Sequence, residues 1–362
     1  MPQWLLLLWA LLLSAGSAHA FLSQGDYERL TEYRSDYDYF PKKHWAKAGR
    51  PELLGWSSKK LAAAKSYADT LATAAVVIVD NGVIVDAWGQ PAARYKCHSV
   101  RKSLLSALYG IRVETGDISL SSSLAELKID DANPPLTDAE KQARVGDLLK
   151  ARSGVYHPAA YETSGMRSKR PERGSHAPGT HFFYNNWDFN ALLTIFERQT
   201  KTGMFEEFNS RIAQPLQMEQ FRLSDTTYYF ERAKSQHPAY LFRMSALDLA
   251  RFGLLYLRNG VWQGKPIVPA SWIKASATDY SSRGPRGLGD YLSGYGYLWW
   301  VGKDGYAAVG AGEQLLMVMP KYRLVIVHRV DTDQRGAQVS GAQLARLLEL
   351  ILSARPSREG AR

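Results

Sequence analysis

The stretch Ala75-Val-Val-Ile-Val-Asp-Asn-Gly-Val-Ile-Val-Asp-Ala87 decides the fold class of this chain. Two β-branched runs flank Asn81-Gly82, a dipeptide that strongly favours the tight turn of an antiparallel hairpin. Strand character returns only towards the end of the sequence, at residues 295–301, 307–319 and 322–330. Because strands that are neighbours in sequence usually pair, we expect both ends of the chain to build one antiparallel sheet.

The long middle region has the apolar spacing of helices rather than of strands. Its most apolar helix is predicted over residues 100–115, with Gly116 as the stop signal. Other helices are predicted near residues 138–151, 188–200, 204–213 and 245–258, and terminal helices over 57–72 and 339–353. We therefore predict an α+β fold, in which an antiparallel sheet from both chain ends is flanked by terminal helices and carries an inserted helical lobe.

The same patterns divide the chain into segments. We assign residues 1–20 to a signal peptide, 21–56 to an N-terminal wrap, 57–95 and 291–355 to an α/β lobe, 96–290 to an inserted, mainly helical lobe and 356–362 to a tail. Within the inserted lobe, the Gly- and Arg-rich residues 282–290 are predicted to form a mobile loop. Since ligand pockets form preferentially between lobes, we expect the functional site at this seam.

Composition excludes several classes of protein. A chain of 362 residues that is 45% hydrophobic and 12% aromatic is not disordered. The lone cysteine, Cys97, excludes an internal disulfide framework and a cysteine-rich metal site. The net charge of +10 comes from scattered residues without a basic helical stripe, so we predict no nucleic-acid partner.

The N-terminus has the pattern of a secretory signal peptide. Residues 4–13 are an unbroken apolar run, and the following small residues end in Ala18-His19-Ala20. We expect cleavage near Ala20 and a periplasmic or secreted protein, with a buried N-terminal helix as the alternative. The mature chain has no run of about 20 apolar residues, the length that a spanning helix needs.

Motifs for metals, nucleotides and the common serine hydrolases are absent from the sequence. Its eight histidines form no HExxH pair, and there is no Walker loop, no GxGxxG and no GxSxG elbow. We therefore predict neither a metal nor a cofactor.

Ser-x-x-Lys is the first pattern that points to chemistry. On a helix the two side chains share a face, so a lysine that burial keeps neutral can act as the base for the serine. The pattern occurs at Ser57/Lys60, Ser99/Lys102 and Ser271/Lys274. Only Ser99 begins a strongly apolar helix, which would carry Lys102 into the interior. From the residues alone, a catalytic and a structural role of this pair both remain open.

Two further segments could complete a site. In Phe183-Tyr184-Asn185-Asn186-Trp187, Tyr184 could relay a proton and Asn186 could hold Lys102 and a substrate carbonyl; an aromatic core segment is the alternative. In Val309-Gly310-Ala311-Gly312-Glu313-Gln314, glycines inside a strand pattern indicate a close approach of ligand or backbone. A plain β-bulge is the alternative there.

In this order, the three segments resemble the serine β-lactamase and penicillin-binding-protein superfamily. The branch is that of class C β-lactamase-related hydrolases, which includes esterases, D-amino-acid peptidases and 6-aminohexanoate-dimer hydrolase. The resemblance runs from about residue 60 to 352 and extends to Leu148-Leu-Lys-Ala-Arg-Ser-Gly154, residues 244–253 and Met319-Pro320. It implies the same fold as the pattern analysis.

The resemblance also implies roles for individual residues. Ser99 would be the nucleophile, Lys102 its base and Tyr184 the proton relay. The backbone N–H groups of Ser99 and Gln314 would form the oxyanion hole. Asn186, Tyr156, Trp187 and Gly312 would bind substrate.

One position departs from the family pattern. The third motif usually starts with Lys or His, which engages a substrate carboxylate, whereas the aligned residue here is Ala311. This favours hydrolysis of a small ester or amide through an acyl-enzyme over a β-lactamase or D,D-peptidase activity. A non-catalytic ligand-binding or envelope-interaction protein on the same fold is the other alternative. Oligomeric state is not predicted.

Overall fold

The computed structural model describes residues 27–132, 134–282, 288 and 291–355. The predicted signal peptide and tail lie outside the described residues, as does most of the predicted mobile loop 282–290.

The described residues form nine α-helices and fourteen β-strands. The helices α1 to α9 are Ser58–Ala68, Arg101–Glu114, Val145–Leu149, Ser164–Ser168, Asn186–Thr200, Met204–Phe208, Ala246–Leu257, Ala270–Ser276 and Gly341–Ser353. The strands β1 to β14 are Glu28–Leu30, Ala46–Ala48, Thr73–Asp80, Val83–Gly89, Tyr95–Lys96, Thr226–Tyr229, Ala239–Met244, Val261–Trp262, Lys265–Pro266, Gly294–Tyr295, Trp300–Val301, Tyr306–Gly310, Gln314–Met319 and Leu324–Val330. No described helix has both the length and the apolarity that crossing a membrane requires.

A nine-stranded sheet is assembled from both ends of the chain, in the order β1-β2-β4-β3-β14-β13-β12-β11-β10. Its N-terminal hairpin turns at Asn81 and Gly82, whose φ angles of 50° and 85° are the left-handed values that a two-residue turn of this kind needs. At the centre, β14 pairs antiparallel with β3, so that Ile326 lies opposite Ile78. The predicted α+β fold with a sheet from both chain ends is confirmed.

The edges of the sheet differ from the sequence prediction. The N-terminal wrap contributes β1 and β2, and β2 pairs parallel to β4 at Lys47 and Ile84. Strands of three residues carry too little alternation to be recognised in a sequence. The 307–319 segment is a hairpin, β12 and β13, with a turn at residues 311–313.

Two hydrophobic cores cover the two faces of the sheet. Val76 and Ile78 of β3 face α1 and α9, while the alternate residues Val77 and Val79 face the core that contains α2 and α7. Each fully buried side chain of this size contributes about 1.5–3 kcal/mol of apolar burial. The alternation therefore fixes which face of the sheet the inserted region meets.

Helix α7 belongs to the predicted inserted lobe but packs directly on the sheet. A Cβ at its Gly253 would lie 2.6 Å from Val325 Cγ1 and 2.7 Å from Leu316 Cδ1, so only glycine permits this approach. The predicted helix at 138–151 is reduced to α3, and the predicted helix at 204–213 is α6 followed by a π-helical turn over Asn209–Ala213. Helix α2 runs through the middle of the inserted region, and its residues 101–111 are all buried.

Candidate active site

Ser99 lies in a short 3₁₀ turn, His98–Val100, that leads into α2. Amide groups in the first turn of a helix have no acceptor within that helix, so they are available to a ligand. His98 has a left-handed φ of 46°, and Ser99 itself is partly exposed and lines a cavity. The turn therefore presents the hydroxyl and the backbone of Ser99 at the cavity wall.

Lys102 lies one helical turn beyond Ser99 and is 1% exposed. Its Nζ is 2.7 Å from Ser99 Oγ. Burial holds the pKa of Lys102 well below its usual value, and the positive charge of Arg101 lowers this pKa further. The amine is therefore disposed to be neutral and can take the proton of the Ser99 hydroxyl.

Tyr184 completes a group of three around the hydroxyl. Burial raises the pKa of Tyr184 to about 12, although a hydrogen bond with Ser99 and the charge of Arg101 oppose this. Its ring lies 4.8 Å from Lys102 Nζ and stacks on Trp300. The structure thus brings together the three residues predicted to be catalytic, with the phenol protonated and able to donate a proton.

Arg101 is a residue that the sequence analysis missed. Its guanidinium is 1% exposed and lies over the rings of Tyr161 and Tyr240, at 5.1 and 5.2 Å. Nη1 donates to the carbonyl of His98, whereas Nε and Nη2 have no hydrogen-bond partner among the described residues. This charge acts on Lys102 without a neutralising carboxylate, and the only sequence signal for it was its place in the buried helix.

The end of β12 touches the nucleophile turn. A Cβ at Gly310 would lie 2.6 Å from the carbonyl oxygen of Cys97 and 3.1 Å from the amide nitrogen of Ser99. The close approach predicted from the glycines is therefore real, and Gly310 and Ala311 line the cavity with Ser99. Cys97 is fully buried, and burial raises the pKa of its thiol, which disfavours the reactive thiolate.

Gln314 and Gly312, predicted as an oxyanion donor and a substrate-binding residue, are not among the residues that line the cavity. Gln314 starts the interior strand β13 and is fully buried; its Oε1 accepts from Arg329 Nε at 2.7 Å, and its Nε2 donates to the carbonyl of Val330. A Cβ on Gly312 would point at Thr332, 2.7 Å from Cγ2. Neither residue lines the cavity, because the turn at 311–313 rotates them away and leaves the Ala311 backbone at the wall.

The predicted substrate-binding side chains also lie outside the cavity lining. Asn186 Nδ2 donates to the carbonyl of Tyr161, and its buried Oδ1 has no partner among the described residues. Trp187 is fully buried, and its Nε1 donates a hydrogen bond to Asp131. Consecutive residues of a helix point in different directions, so Trp187, which follows Asn186 on α5, faces the core. Tyr156 is 4% exposed and its hydroxyl bonds His176 Nδ1.

The cavity above Ser99 has a volume of about 1180 Å³. Part of its wall is aromatic: Phe182, Phe183, Tyr184, Tyr280 and Trp300. Arg152, Lys169 and Glu313 supply charged groups, none of which the sequence analysis selected. Among the described residues, no group of three or more potential ligands is arranged to hold a metal ion.

Comparisons with known proteins place the fold and the family of this chain. The structure resembles that of a Bacillus anthracis protein assigned as a 6-aminohexanoate-dimer hydrolase, with 19% identity and a TM-score of 0.61 over 87% of this chain and 86% of that one. It also resembles an octameric penicillin-binding protein homologue from Pyrococcus abyssi, with 18% identity and a TM-score of 0.59 over 83% of this chain and 78% of that one.

A β-lactamase from Mycobacterium bovis shares 17% identity, with a TM-score of 0.55 over 80% of this chain and 97% of that one. At these identities the likeness shows the fold alone. No curated protein matches the sequence. The family described as Beta-lactamase, however, matches residues 61–349. This chain therefore belongs to the beta-lactamase family.

Proposed function

We propose that the protein is a serine hydrolase that cleaves a small ester or amide through a covalent acyl-enzyme. The observation that carries this proposal is the distance of 2.7 Å between Lys102 Nζ and Ser99 Oγ, with the lysine buried. A buried lysine whose pKa is lowered, placed against a serine on a cavity wall, is what nucleophile activation requires. A binding protein has no need of this pairing.

In acylation, Ser99 Oγ attacks the substrate carbonyl carbon while its proton passes to Lys102 Nζ. The tetrahedral intermediate collapses, the bond to the leaving group breaks, and Tyr184 donates its hydroxyl proton to that group; Lys102 then restores the proton of Tyr184. In deacylation, a water molecule attacks the ester and its proton returns to Ser99 Oγ through the same groups.

For the oxyanion hole we propose the amide groups of Ser99 and Ala311. Both residues line the cavity, and Gly310 brings the two backbone segments together. Gln314, the donor expected from the sequence, does not line the cavity. Two preorganised amides at such a site typically contribute several kcal/mol to transition-state stabilisation, about 3 kcal/mol for each donor.

The substrate class follows from what the wall lacks. Ala311 carries no charge at the position where the family places Lys or His, which argues against a β-lactamase or D,D-peptidase activity. The apolar run of residues 4–13 supports export, so we propose an ester or amide that is present in the envelope or outside the cell. Amino-terminal sequencing of the exported protein tests this, with Phe21 as the expected first residue.

The test of the chemistry is labelling with a fluorophosphonate, followed by intact mass and adduct mapping. We expect one adduct on Ser99, loss of labelling and ester turnover in Ser99→Ala, and normal labelling in Ser271→Ala. Ser271 is the matched control because it belongs to another Ser-x-x-Lys pair, on the exposed start of α8. A folded protein without an adduct and without turnover would contradict the proposal and favour a binding protein.

A further inference from the structure

We propose that Glu313 binds a positively charged amine of the substrate, so that the preferred esters or amides carry a cationic group. The inference deepens the proposed function and rests on it. It replaces the carboxylate recognition expected from the family with recognition of the opposite charge.

Glu313 belongs to the turn that touches the nucleophile. It is the last residue of the three-residue connection between β12 and β13, which starts directly after Gly310, and it lines the same cavity as Ser99. Its carbonyl accepts a hydrogen bond of 2.8 Å from His328 Nδ1. The backbone of Glu313 is therefore held in place in the wall of the cavity that also contains Ser99.

The carboxylate of Glu313 has no partner in the part of the chain that the structure describes. Its side chain is half-buried, and burial alone raises its pKa, without a neighbouring charge to oppose it. A carboxylate taken partly out of water is costly unless a cation or hydrogen-bond donors compensate it. Ala311 supplies no charge from the same turn, so a cationic ligand would be the compensating group.

The backbone at Glu313 is strained in a way that glycine would avoid. Its φ of 62° lies in the left-handed region, where a side chain is disfavoured. Glycine would fit this turn with less strain, so the turn itself does not require a side chain here. A residue kept only for the turn would not need a carboxylate.

The other described residues of the wall include an aromatic surface that attracts a cation and two positive charges, Arg152 and Lys169, that oppose it. Trp300 lines the cavity, and an indole ring attracts positive charge. The guanidinium of Arg152 keeps its charge, but it donates to the carbonyls of Gly179, Thr180 and Tyr280 and forms no ion pair with Glu313. Lys169 is exposed, so solvent and salt weaken its repulsion of a cation.

The experiment compares two esters of equal shape, 4-nitrophenyl 4-(trimethylammonio)butanoate and its neutral counterpart 4-nitrophenyl 5,5-dimethylhexanoate. We expect the wild-type protein to prefer the cationic ester by about tenfold or more in kcat/KM. In Glu313→Gln and Glu313→Gly this ratio should fall by about tenfold, mainly through KM for the cationic ester. Glycine relieves the strained φ, so its variant guards against misfolding.

Glu114→Gln is the matched control, because Glu114 is exposed at the end of α2 and its loss removes the same charge. We expect this variant to keep the wild-type ratio. Turnover of both esters with a ratio near one in the wild-type protein, or with an unchanged ratio in both Glu313 variants, would overturn the inference and leave the proposed function standing. An equal fall for both esters, with acyl-enzyme accumulating, would also overturn it, since Glu313 would then act in deacylation.

Binding separates this inference from the catalytic proposal. In a Ser99→Ala background, calorimetry should show tighter binding of the cationic ester than of the neutral one, and Glu313→Gln should abolish the difference. If the wild-type protein turned over neither ester and gave no fluorophosphonate adduct, the proposed function would fail, while calorimetry would still decide on amine binding. Equal binding of both esters would overturn the inference.

Discussion

Arg101 and Lys102 are consecutive residues of α2, and each side chain is only 1% exposed. Positive charges on both side chains would repel each other, and no carboxylate pairs with either of them among the described residues. Holding the neutral amine of Lys102 beside Ser99 therefore lowers the stability of the protein. We expect this pair to affect both the pH dependence of activity and the stability of the fold.

The pH dependence of ester hydrolysis should report the titration of Lys102. Because burial and Arg101 lower the pKa of Lys102, the neutral base is present above that lowered pKa and is lost as the pH falls through it. His98, next to Ser99, has its pKa lowered to about 4, and that of Tyr184 is raised to about 12, so neither changes charge near neutral pH. We expect kcat/KM for a neutral ester to drop on the acid side, and a flat profile would contradict the assignment.

Arg101→Met should move this acid limb to higher pH. Removing the adjacent positive charge raises the pKa of Lys102, so the base is lost at a less acid pH. The measurement is the pH profile of kcat/KM for both proteins. Arg112→Met is the control, since Arg112 lies at the far end of α2 and pairs with Asp117 and Glu207; its limb should stay in place. An unshifted limb in Arg101→Met would refute the electrostatic role.

Local chemistry explains what the sequence could predict. The hairpin at 75–87 was predictable because Asn81 and Gly82 alone determine the turn, and the pairing of Ser99 with Lys102 was predictable because helical spacing places them together. The roles of Trp187, Tyr156 and Gln314 were not, because each depends on how a segment is rotated about its axis. That rotation is set by distant partners such as Asp131, His176 and Arg329.

The roles of Arg101 and Glu313 could not be predicted from the sequence either, because neither charged residue belongs to a recognisable motif. Arg101 and Glu313 acquire their roles from their surroundings: among the described residues, no carboxylate pairs with Arg101 and no cation pairs with Glu313. A single sequence shows the residue but not the partner that is missing.

Gly310→Ala should separate the geometry of the oxyanion hole from general stability. An added Cβ would lie 2.6 Å from the Cys97 carbonyl oxygen, so β12 must move away from the Ser99 turn. We expect a loss of about 1–3 kcal/mol in unfolding free energy and a loss of kcat of about 100-fold or more, as for removal of one oxyanion donor. Gly116→Ala is the control: its φ of 79° costs stability, but a Cβ there meets no atom within 4 Å, so activity should persist. Equal activity in the two variants would contradict the prediction.

Lys102→Met should abolish turnover and stabilise the fold. The pKa of Lys102 is lower in the folded than in the unfolded chain, so protonation of this lysine favours unfolding. The stability of the wild-type protein is therefore highest above the pKa that Lys102 has in the unfolded chain. It falls as the pH drops from there towards the pKa of Lys102 in the folded chain. Methionine has a similar shape and no charge. At neutral pH, Lys102→Met should therefore have a free energy of unfolding about 1 kcal/mol or more above that of the wild-type protein. Denaturant unfolding of both proteins at alkaline and neutral pH measures this, and the difference should grow as the pH falls. Lys274→Met, on the exposed face of α8, should change neither stability nor its pH dependence. A Lys102→Met variant that is less stable than the wild-type protein at neutral pH would show that the lysine is held for the fold rather than for Ser99.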